Sequence, residues 1–442
     1  MRTLRVAMRG NVIGHVTSQP EGIDCPGACT HAFAAGTAVT LLADPPGDDA
    51  AAGKRFVGWD ASGCSAADGT CSPALSAPLT LVGARFYQRY NLAFVSSTTS
   101  DGMLGGLEGA DALCEQLATT AGLPPGPYVA WLSRENPASN AADRLGTGSG
   151  WVRVDGKPFA LSKIDLLAGR ILYPLRLDEH GDDVQASNPR VVAAFTGTNS
   201  DGSAAEFDCQ GWTAGFCGND CLRPAILGSP GGGTDRWTRN PNGLNSCGVT
   251  AHIYCLGTGL ATRPPAPPPP APPASVIWIS STVFRPGQGA TATELCQEDA
   301  LNSGLLGDSR AIFAGLGAGP IFWLGLVPGT ILPMHFVRPD GVVPVDSLTD
   351  LLDGGGFRAA INVAPGPGGS LEYVGSNARV WLGSADMNVP ATDTVCDGLT
   401  TGDFSKSTLV VDPALAHIQS EGHSCNEAQR VWCTEFRAEP LP

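Results

Sequence analysis

Aromatic and polar side chains cluster between Cys209 and Cys247, in a part of the sequence rich in glycine and proline. They could stack on the flat face of a ligand and hydrogen-bond to its edges, and they are Trp212, Arg236, Trp237, Arg239 and Asn240. Trp237 follows a run of three glycines, and loops on a rigid scaffold often carry binding residues. We therefore predict that Trp237 is an exposed ligand contact at a loop tip, whereas Trp212 fits the core as well as the surface.

Two oxygen-rich stretches could hold a calcium ion. The first contains an incomplete calcium-loop pattern made of Asn199, Asp201, Ser203, Glu206 and Asp208. The second concentrates four carboxylates that would repel one another without a cation, namely Asp178, Glu179, Asp182 and Asp183. A polar turn and a solvated loop are the preferred interpretations, and a calcium site in this half of the chain is the alternative. Calcium is the only cofactor that the sequence suggests.

The sequence contains none of the common catalytic or nucleotide-binding motifs. Gly-x-Ser-x-Gly, His-Glu-x-x-His, the phosphate-binding loop and the dinucleotide fingerprint are all missing. Every cysteine can also be assigned a structural partner. We therefore predict that the protein is not an enzyme.

The elements that would position the candidate residues occur twice. The repeated anchors keep their order and nearly their spacing, with Cys114 recurring as Cys296, Asp155-Gly156 as Asp340-Gly341, Asp165-Leu166-Leu167 as Asp350-Leu351-Leu352, Cys209 as Cys396, and Cys255 as Cys433. The first cysteine of each copy lies in a helical pattern, and Thr291 with Glu294 predicts a capping box at the start of the second helix. The last cysteine of each copy follows β-rich positions, which indicates a closing strand. The sequence therefore predicts a duplicated module with loop insertions.

Length and composition place the chain among multidomain, β-rich proteins. At 442 residues it should contain about three domains. Its 57 glycines, 36 prolines and only 16% charged residues favour loop-rich β architecture. The net charge of −15 argues against a nucleic-acid partner, and no apolar run is long enough to span a bilayer. Residues 1–10 lack the apolar core of a signal peptide, so no signal peptide is visible.

The 14 cysteines fall in even numbers into residues 1–90, 91–258 and 276–442. This distribution predicts disulfides within each region and an oxidising compartment. In the first region the spacings favour two disulfides over a zinc site and leave the pairing open among Cys25, Cys29, Cys64 and Cys71.

Residues 1–90 have the pattern of a small all-β domain. The segments Gly14-His15-Val16-Thr17, Phe56-Val57-Gly58-Trp59 and Ala84-Arg85-Phe86 resemble the internalin-B-type repeat of bacterial surface proteins. This resemblance implies a spacer or stalk on a surface protein.

Each later module, residues 91–258 and 276–442, resembles the C-type-lectin-like domain through its cysteine-containing helix, its middle cysteine and its Cys-x7-Cys ending. The segment Cys209-Gln210-Gly211-Trp212 is closer to an endostatin-like branch in bacterial extracellular proteins. The resemblance implies an α+β fold and the pairs Cys114–Cys255, Cys209–Cys247, Cys296–Cys433 and Cys396–Cys425, which leaves Cys217 and Cys221 as a local pair. The calcium-dependent sugar motifs of that family, Glu-Pro-Asn or Gln-Pro-Asp with Trp-Asn-Asp, are missing.

Residues 259–275 form a proline-rich linker, which predicts a polyproline II strut that holds the modules apart. The expected architecture is a small all-β N-terminal domain followed by two α+β C-type-lectin-like modules. We expect an extracellular or cell-surface adhesion or recognition protein whose partner is a surface glycan or protein. A self-assembling subunit of a surface filament or layer, with copies of itself as partners, is the alternative. An enzyme on a lectin-like scaffold is less favoured.

Overall fold

The structure is a computed structural model of the 442-residue chain. It describes residues 1–10, 14–44, 48–49, 54–61, 64, 69–186, 192–215, 224–240, 244–268, 274–287, 291–305, 308–312, 335–347, 350–351, 357–381, 407–415 and 420–436. These residues form several β-sheets with few helices. No helix in the described ranges is long and apolar enough to cross a bilayer.

The chain divides into two compact units. The first contains Met1–Asn91 with the short segments Thr147–Gly150 and Thr258–Arg263, and the second contains Leu92–Gly146, Trp151–Gly257 and Pro264–Pro442. The second unit therefore includes most of both duplicated modules.

The described residues of the first unit contain the strands β1 (Arg2–Gly10), β2 (His15–Gln19), β3 (Asp24–Cys25), β4 (Thr30–Phe33), β5 (Thr40–Asp44), β6 (Asp48–Asp49), β7 (Lys54–Asp60), β8 (Thr70–Cys71) and β9 (Leu79–Gln88). They form one sheet in the order β4-β1-β9-β7-β6 and another in the order β3-β2-β5-β8. Buried apolar side chains from both sheets make a common core, among them Leu4, Val16, Leu41 and Phe86. Disulfides join Cys25 to Cys29 and Cys64 to Cys71, which resolves the pairing that the sequence left open.

The first module contains β10 (Asn91–Val95), α1 (Gly106–Thr120), β11 (Tyr128–Ala130), α2 (Ala141–Arg144), β12 (Trp151–Arg153), β13 (Pro158–Ala160), α3 (Lys163–Leu167), β14 (Ala194–Phe195), α4 (Cys209–Trp212), β15 (Pro224–Gly228), β16 (Leu244–Ser246) and β17 (His252–Gly257). The predicted helix around Cys114 is confirmed as α1. It buries Ala110, Cys114 and Ala118 on one face, as their helical spacing requires.

The second module contains β18 (Ala274–Ile279), α5 (Ala292–Ser303), β19 (Asp308–Ile312), β20 (His335–Val337), β21 (Val363–Pro365), a 3-10 turn at Pro367–Gly369, β22 (Leu371–Tyr373), β23 (Val380–Trp381), β24 (Ser407–Val411), β25 (Ser420–Ser424) and β26 (Trp432–Phe436). The predicted capping box is confirmed, because the Thr291 and Glu294 side chains each accept a hydrogen bond from the other residue's backbone amide.

The two modules share one strand arrangement. In each, the closing strand pairs antiparallel with the opening strand, so that Phe94 lies opposite Cys255 and Trp278 opposite Cys433. The closing strand also pairs with the strand that follows the long helix, β11 in one module and β19 in the other, and in the first module it pairs with β14 as well. The strands β14, β15 and β16 likewise correspond to β23, β24 and β25, because each middle strand pairs antiparallel with both of its neighbours.

Disulfides connect the same elements in both modules. Cys114 on α1 is bonded to Cys255 on β17, and Cys296 on α5 is bonded to Cys433 on β26. The inner pair Cys209–Cys247 is also formed. Cys425 is disulfide-bonded, while its expected partner Cys396 and the pair Cys217 and Cys221 lie outside the described residues.

The modules pack against each other, so the expectation that a proline strut holds them apart is wrong. Gly233 donates its amide to the carbonyl of Ala414 at 2.7 Å, and Gly232 forms a β-bridge with Leu415. Gly232 and Leu415 are each the fourth residue after the matched strands β15 and β24. A two-fold, isologous interface brings equivalent positions of its two halves into contact in this way.

The described part of the linker lies along the second module. A Cβ on Gly341 would come within 2.3 Å of the Pro268 carbonyl oxygen, so the chain passes directly over the Asp340-Gly341 turn. A segment in such close contact with the fold does not act as a spacer.

Candidate functional site

Trp237 lies in the core of the first module, which overturns the prediction that it is an exposed ligand contact. Its side chain has no exposed surface. The ring packs against Trp131, Phe159 and Tyr254, with centroid distances of 4.9, 5.2 and 5.6 Å. The adjacent glycines therefore do not mark a loop tip, because the chain folds back through Trp237 into the module.

Arg236 is also buried and serves the contact between the modules. Its guanidinium forms an ion pair with Asp412 of the second module, and the two side chains are only 3% and 2% exposed. A second hydrogen bond runs from Nη1 of Arg236 to Oδ1 of Asn240, at 2.8 Å. Arg236 thus belongs to a module interface, which corrects its prediction as a ligand contact, and the half-buried Asn240 side chain supports its guanidinium.

The rest of the loop after β15 makes the same kind of contact. Asp235 accepts hydrogen bonds from the amide and the hydroxyl of Ser376, and Thr234 accepts one from the Asn362 side chain at 2.6 Å. The segment predicted to bind an external ligand therefore binds the second module.

Trp212 is a core residue. It is fully buried, it packs against Phe195, and its indole nitrogen donates to the carbonyl of Ser133 at 2.7 Å. Of the two positions that the sequence allowed, the structure selects the core.

Arg239 is the one predicted binding residue that remains exposed, and it lines a cavity of about 340 Å³. The other lining residues are Asn199, Ala204, Ala205, Glu206, Phe207 and Ile226. The guanidinium of Arg239 donates to Oδ1 of Asn199, which sets a donor beside the cavity. We call this space the Arg239 cavity. It combines a half-buried aromatic ring with an amide, a carboxylate and a guanidinium, a combination typical of small-ligand sites.

A tight turn holds Asn199 at this cavity. The amide of Asn199 donates to the carbonyl of Ser203 at 2.9 Å, and the Asn199 side chain donates to the carbonyl of Ala204 at the same distance. Gly202 has a φ of +83°, and a Cβ there would lie 2.7 Å from both Ala142 and Leu167. Only glycine fits this position, so the turn is fixed by packing as well as by hydrogen bonds.

A left-handed turn anchors the other end of the lining segment. Residues 209–212, which form α4, all have positive φ, and the non-glycine members Cys209, Gln210 and Trp212 have values of 53°, 57° and 67°. Such backbone costs about 1–3 kcal/mol per residue and persists only when the surroundings enforce it. The disulfide of Cys209 and the side chain of Asp208, which accepts hydrogen bonds from Gly211 and Glu135, enforce it here.

The structure does not bring the calcium candidates together. Asp178 accepts hydrogen bonds from the amides of His180 and Asp182, each at 2.9 Å, and Asp183 pairs with Arg176. Asp201 accepts from the amide and the hydroxyl of Ser203, and these bonds lower its pKa. Within the described residues no group of three or more His, Cys, Asp or Glu side chains could hold a metal ion. The first stretch is a polar turn, as preferred from the sequence. The solvated-loop interpretation of the second stretch is wrong for Asp178 and Glu179, which are only 6% and 3% exposed, and Glu179 accepts hydrogen bonds from the amide and the hydroxyl of Ser97.

Phe207 was missed by the sequence reasoning, and Glu206 was considered only as a calcium ligand. A single aromatic residue in an acidic segment has no distinguishing pattern, and its position beside Arg239 depends on a contact across 32 residues of chain. The proximity of Phe207 to the inner cysteine Cys209 is the one signal that could have indicated it.

No protein-family model matches this chain, and no curated protein sequence matches it.

Proposed function

We propose that this chain is an extracellular, non-enzymatic recognition protein that binds a saccharide in the Arg239 cavity of its first module. The observation that supports the proposal is the lining of this cavity. Phe207 offers a half-buried ring for the apolar face of a sugar, while Glu206 and Arg239 offer planar hydrogen-bonding groups for its hydroxyls, with Asn199 holding the guanidinium in place.

The disulfides support an extracellular location. The pairs Cys114–Cys255 and Cys296–Cys433 close long loops, and no cysteine within the described residues is free. Disulfides of this kind persist in oxidising environments.

The duplicated arrangement supports lectin-like modules. A helix bonded by a disulfide to the closing strand, and a second disulfide in the loop region, are what the resemblance to C-type-lectin-like domains implies. The proposed ligand site lies beside that second disulfide, between residues 199–207, Ile226 and Arg239, whereas residues 232–236 of the loop after β15 dock the modules.

A glycan array probed with the full chain and two variants tests the proposal. Arg239→Ala and Phe207→Ala should each lose the signal that the natural protein gives. Arg285→Ala is the matched control, because it removes an exposed arginine from the second module, and it should bind normally. If no glycan binds while the full chain assembles into filaments or layers in sedimentation experiments, a structural subunit replaces this proposal.

A further inference from the structure

A second cavity, of about 280 Å³, lies where the two modules meet. The first module contributes most of its lining and the second contributes Phe357 and Arg358, so the full set is Arg153, Asp155, Lys157, Arg176, Leu177, Asp183, Phe357 and Arg358. Nη1 of Arg176 donates to the Phe357 carbonyl at 2.5 Å, which ties the two sides together. We call this space the cationic cleft.

The three arginines of the cleft each have a carboxylate partner. Arg153 pairs with Asp155, Arg176 pairs with Asp183, and Arg358 pairs with Asp346. These pairs are charge-neutral, so they hold the walls of the cleft in place without attracting a further anion strongly.

Lys157 supplies the surplus positive charge. Its ammonium lies 5.1 Å from the centre of the Tyr173 ring and has no hydrogen-bond acceptor or ion-pair partner among the described residues. Burial lowers the pKa of Lys157, and the neighbouring Arg358 and Arg153 lower it further, against the opposing attraction of Asp155 and Asp346. The cleft residues together with Asp346 therefore carry one more positive charge than negative charges.

The second module shows that the fold does not need this lysine. The Asp155-Gly156-Lys157 turn corresponds to Asp340-Gly341-Val342, and Val342 is fully buried. The Asp340 side chain is 5% exposed and accepts a hydrogen bond from the Tyr373 hydroxyl at 2.9 Å, whereas the Asp155 side chain is 31% exposed. The same turn is thus closed and charge-neutral in one copy but open and cationic in the other.

We propose that the cationic cleft binds a small ligand through a carboxylate group, with the ammonium of Lys157 as its charge partner. One carboxylate supplies the single missing charge. The volume is near the lower limit of roughly 300 Å³ for small-molecule sites, which suits a ligand the size of one sugar acid. The chain has a net charge of −15, so most of its surface repels anions. The positive potential in the cleft would attract them.

The site is separate from the Arg239 cavity, so it stands or falls independently of the proposed saccharide site. The two cavities share no lining residue.

Calorimetric titration of the full chain with D-glucuronate, D-glucose and acetate tests the inference. Glucuronate should bind, and glucose should not, because it lacks the carboxylate. Binding of acetate as tight as that of glucuronate would support the site and show that the carboxylate alone is recognised. Tighter binding of glucuronate would assign a contribution to the sugar ring.

Variants locate the binding. Lys157→Met should weaken glucuronate binding by about tenfold or more, because a charged hydrogen-bond partner is lost, while Lys157→Arg should retain most of it. Lys163→Met, which removes a lysine of the same module outside the cleft, and Arg239→Ala should bind glucuronate normally. The inference is overturned if glucuronate does not bind, if glucose binds equally well, if Lys157→Met binds like the natural protein, or if Arg239→Ala loses the binding.

Discussion

Removing either partner of the Arg236–Asp412 ion pair should lower the free energy of unfolding by about 3–5 kcal/mol, because the remaining charge would be buried without its partner. Both side chains are almost completely buried, at 3% and 2% exposure. Suitable single variants are Arg236→Met and Asp412→Leu, which keep side-chain volume while removing charge.

The double variant should recover most of this loss. Burial raises the pKa of Asp412, and the opposing attraction of Arg236 does not overcome this effect. The charged carboxylate is therefore less favourable in the folded protein than in water. Replacement of a buried ion pair by apolar residues of similar volume is often neutral or stabilising, so we expect Arg236→Met with Asp412→Leu to unfold close to the natural protein.

The same pair should leave a signature in the pH dependence of stability. Because the pKa of Asp412 is raised on folding, the folded state binds more protons than the unfolded state between the ordinary aspartate pKa and the raised one. The Asp412 contribution to stability is therefore present at low pH and is lost as pH rises through that window. The double variant should lack this component.

Urea unfolding of the four proteins at several pH values measures both effects, and small-angle X-ray scattering reports whether the modules stay docked. Single variants that each cost less than about 1 kcal/mol would indicate a solvent-exposed pair. That result would refute the docked arrangement of the modules and the cationic cleft that depends on it.

Three further predictions concern the first module. Trp237→Ala should destabilise the protein by about 3–5 kcal/mol in urea unfolding, as expected for a buried tryptophan, whereas Arg239→Ala should stay within about 0.5 kcal/mol. A smaller loss for Trp237→Ala would place the ring at the surface. Replacing both Cys114 and Cys255 by serine should lower the free energy of unfolding by about 4–5 kcal/mol in the chain-entropy model, because the disulfide closes a loop with a sequence separation of 141. An unchanged midpoint of urea unfolding would contradict this prediction. Millimolar calcium should leave the melting temperature unchanged, since protein groups already bond to Asp178, Asp183 and Asp201, and a clear upward shift would reveal a site outside these contacts.

The repeated frame of the two modules could be predicted because it depends on short-range patterns and covalent pairs. The helical spacing around Cys114 and the capping residues Thr291 and Glu294 are local signals, and both predicted helices are present. The outer disulfides followed from the family resemblance, and both are formed.

The sequence could not predict whether the loop after β15 projects into solvent or packs against the second module, because a glycine-rich sequence permits both. Glycine allows a loop to project into solvent, and it also allows two backbones to approach closely. Here Gly232 and Gly233 approach the backbone of the second module, and Trp237 then enters the core. The deciding partners, Asp412 and Ala414, lie more than 170 residues away and leave no local trace.

The oxygen-rich stretches failed as predictors for a related reason. Carboxylates gathered in sequence indicate a cation only if their side chains converge, and the backbone amides of a turn satisfy them equally well. Asp178 bonds to two amides of its own turn, while Asp183 turns away to Arg176. Composition alone does not distinguish these arrangements.

In a dimer of identical modules, every cavity away from the two-fold axis occurs twice, with the same lining residues. When the two modules are joined in one chain, the sequence of one module can change while that of the other stays the same. The Asp-Gly turn illustrates the result, with Val342 buried in one copy and Lys157 left unpaired among the described residues at the same position of the other. Burial and the neighbouring arginines disfavour the charge on Lys157, whereas Asp155, Asp346 and the Tyr173 ring favour it. The fold does not need this charge, because valine fills the equivalent position in the other copy, and such a departure between copies is the kind expected at a binding site.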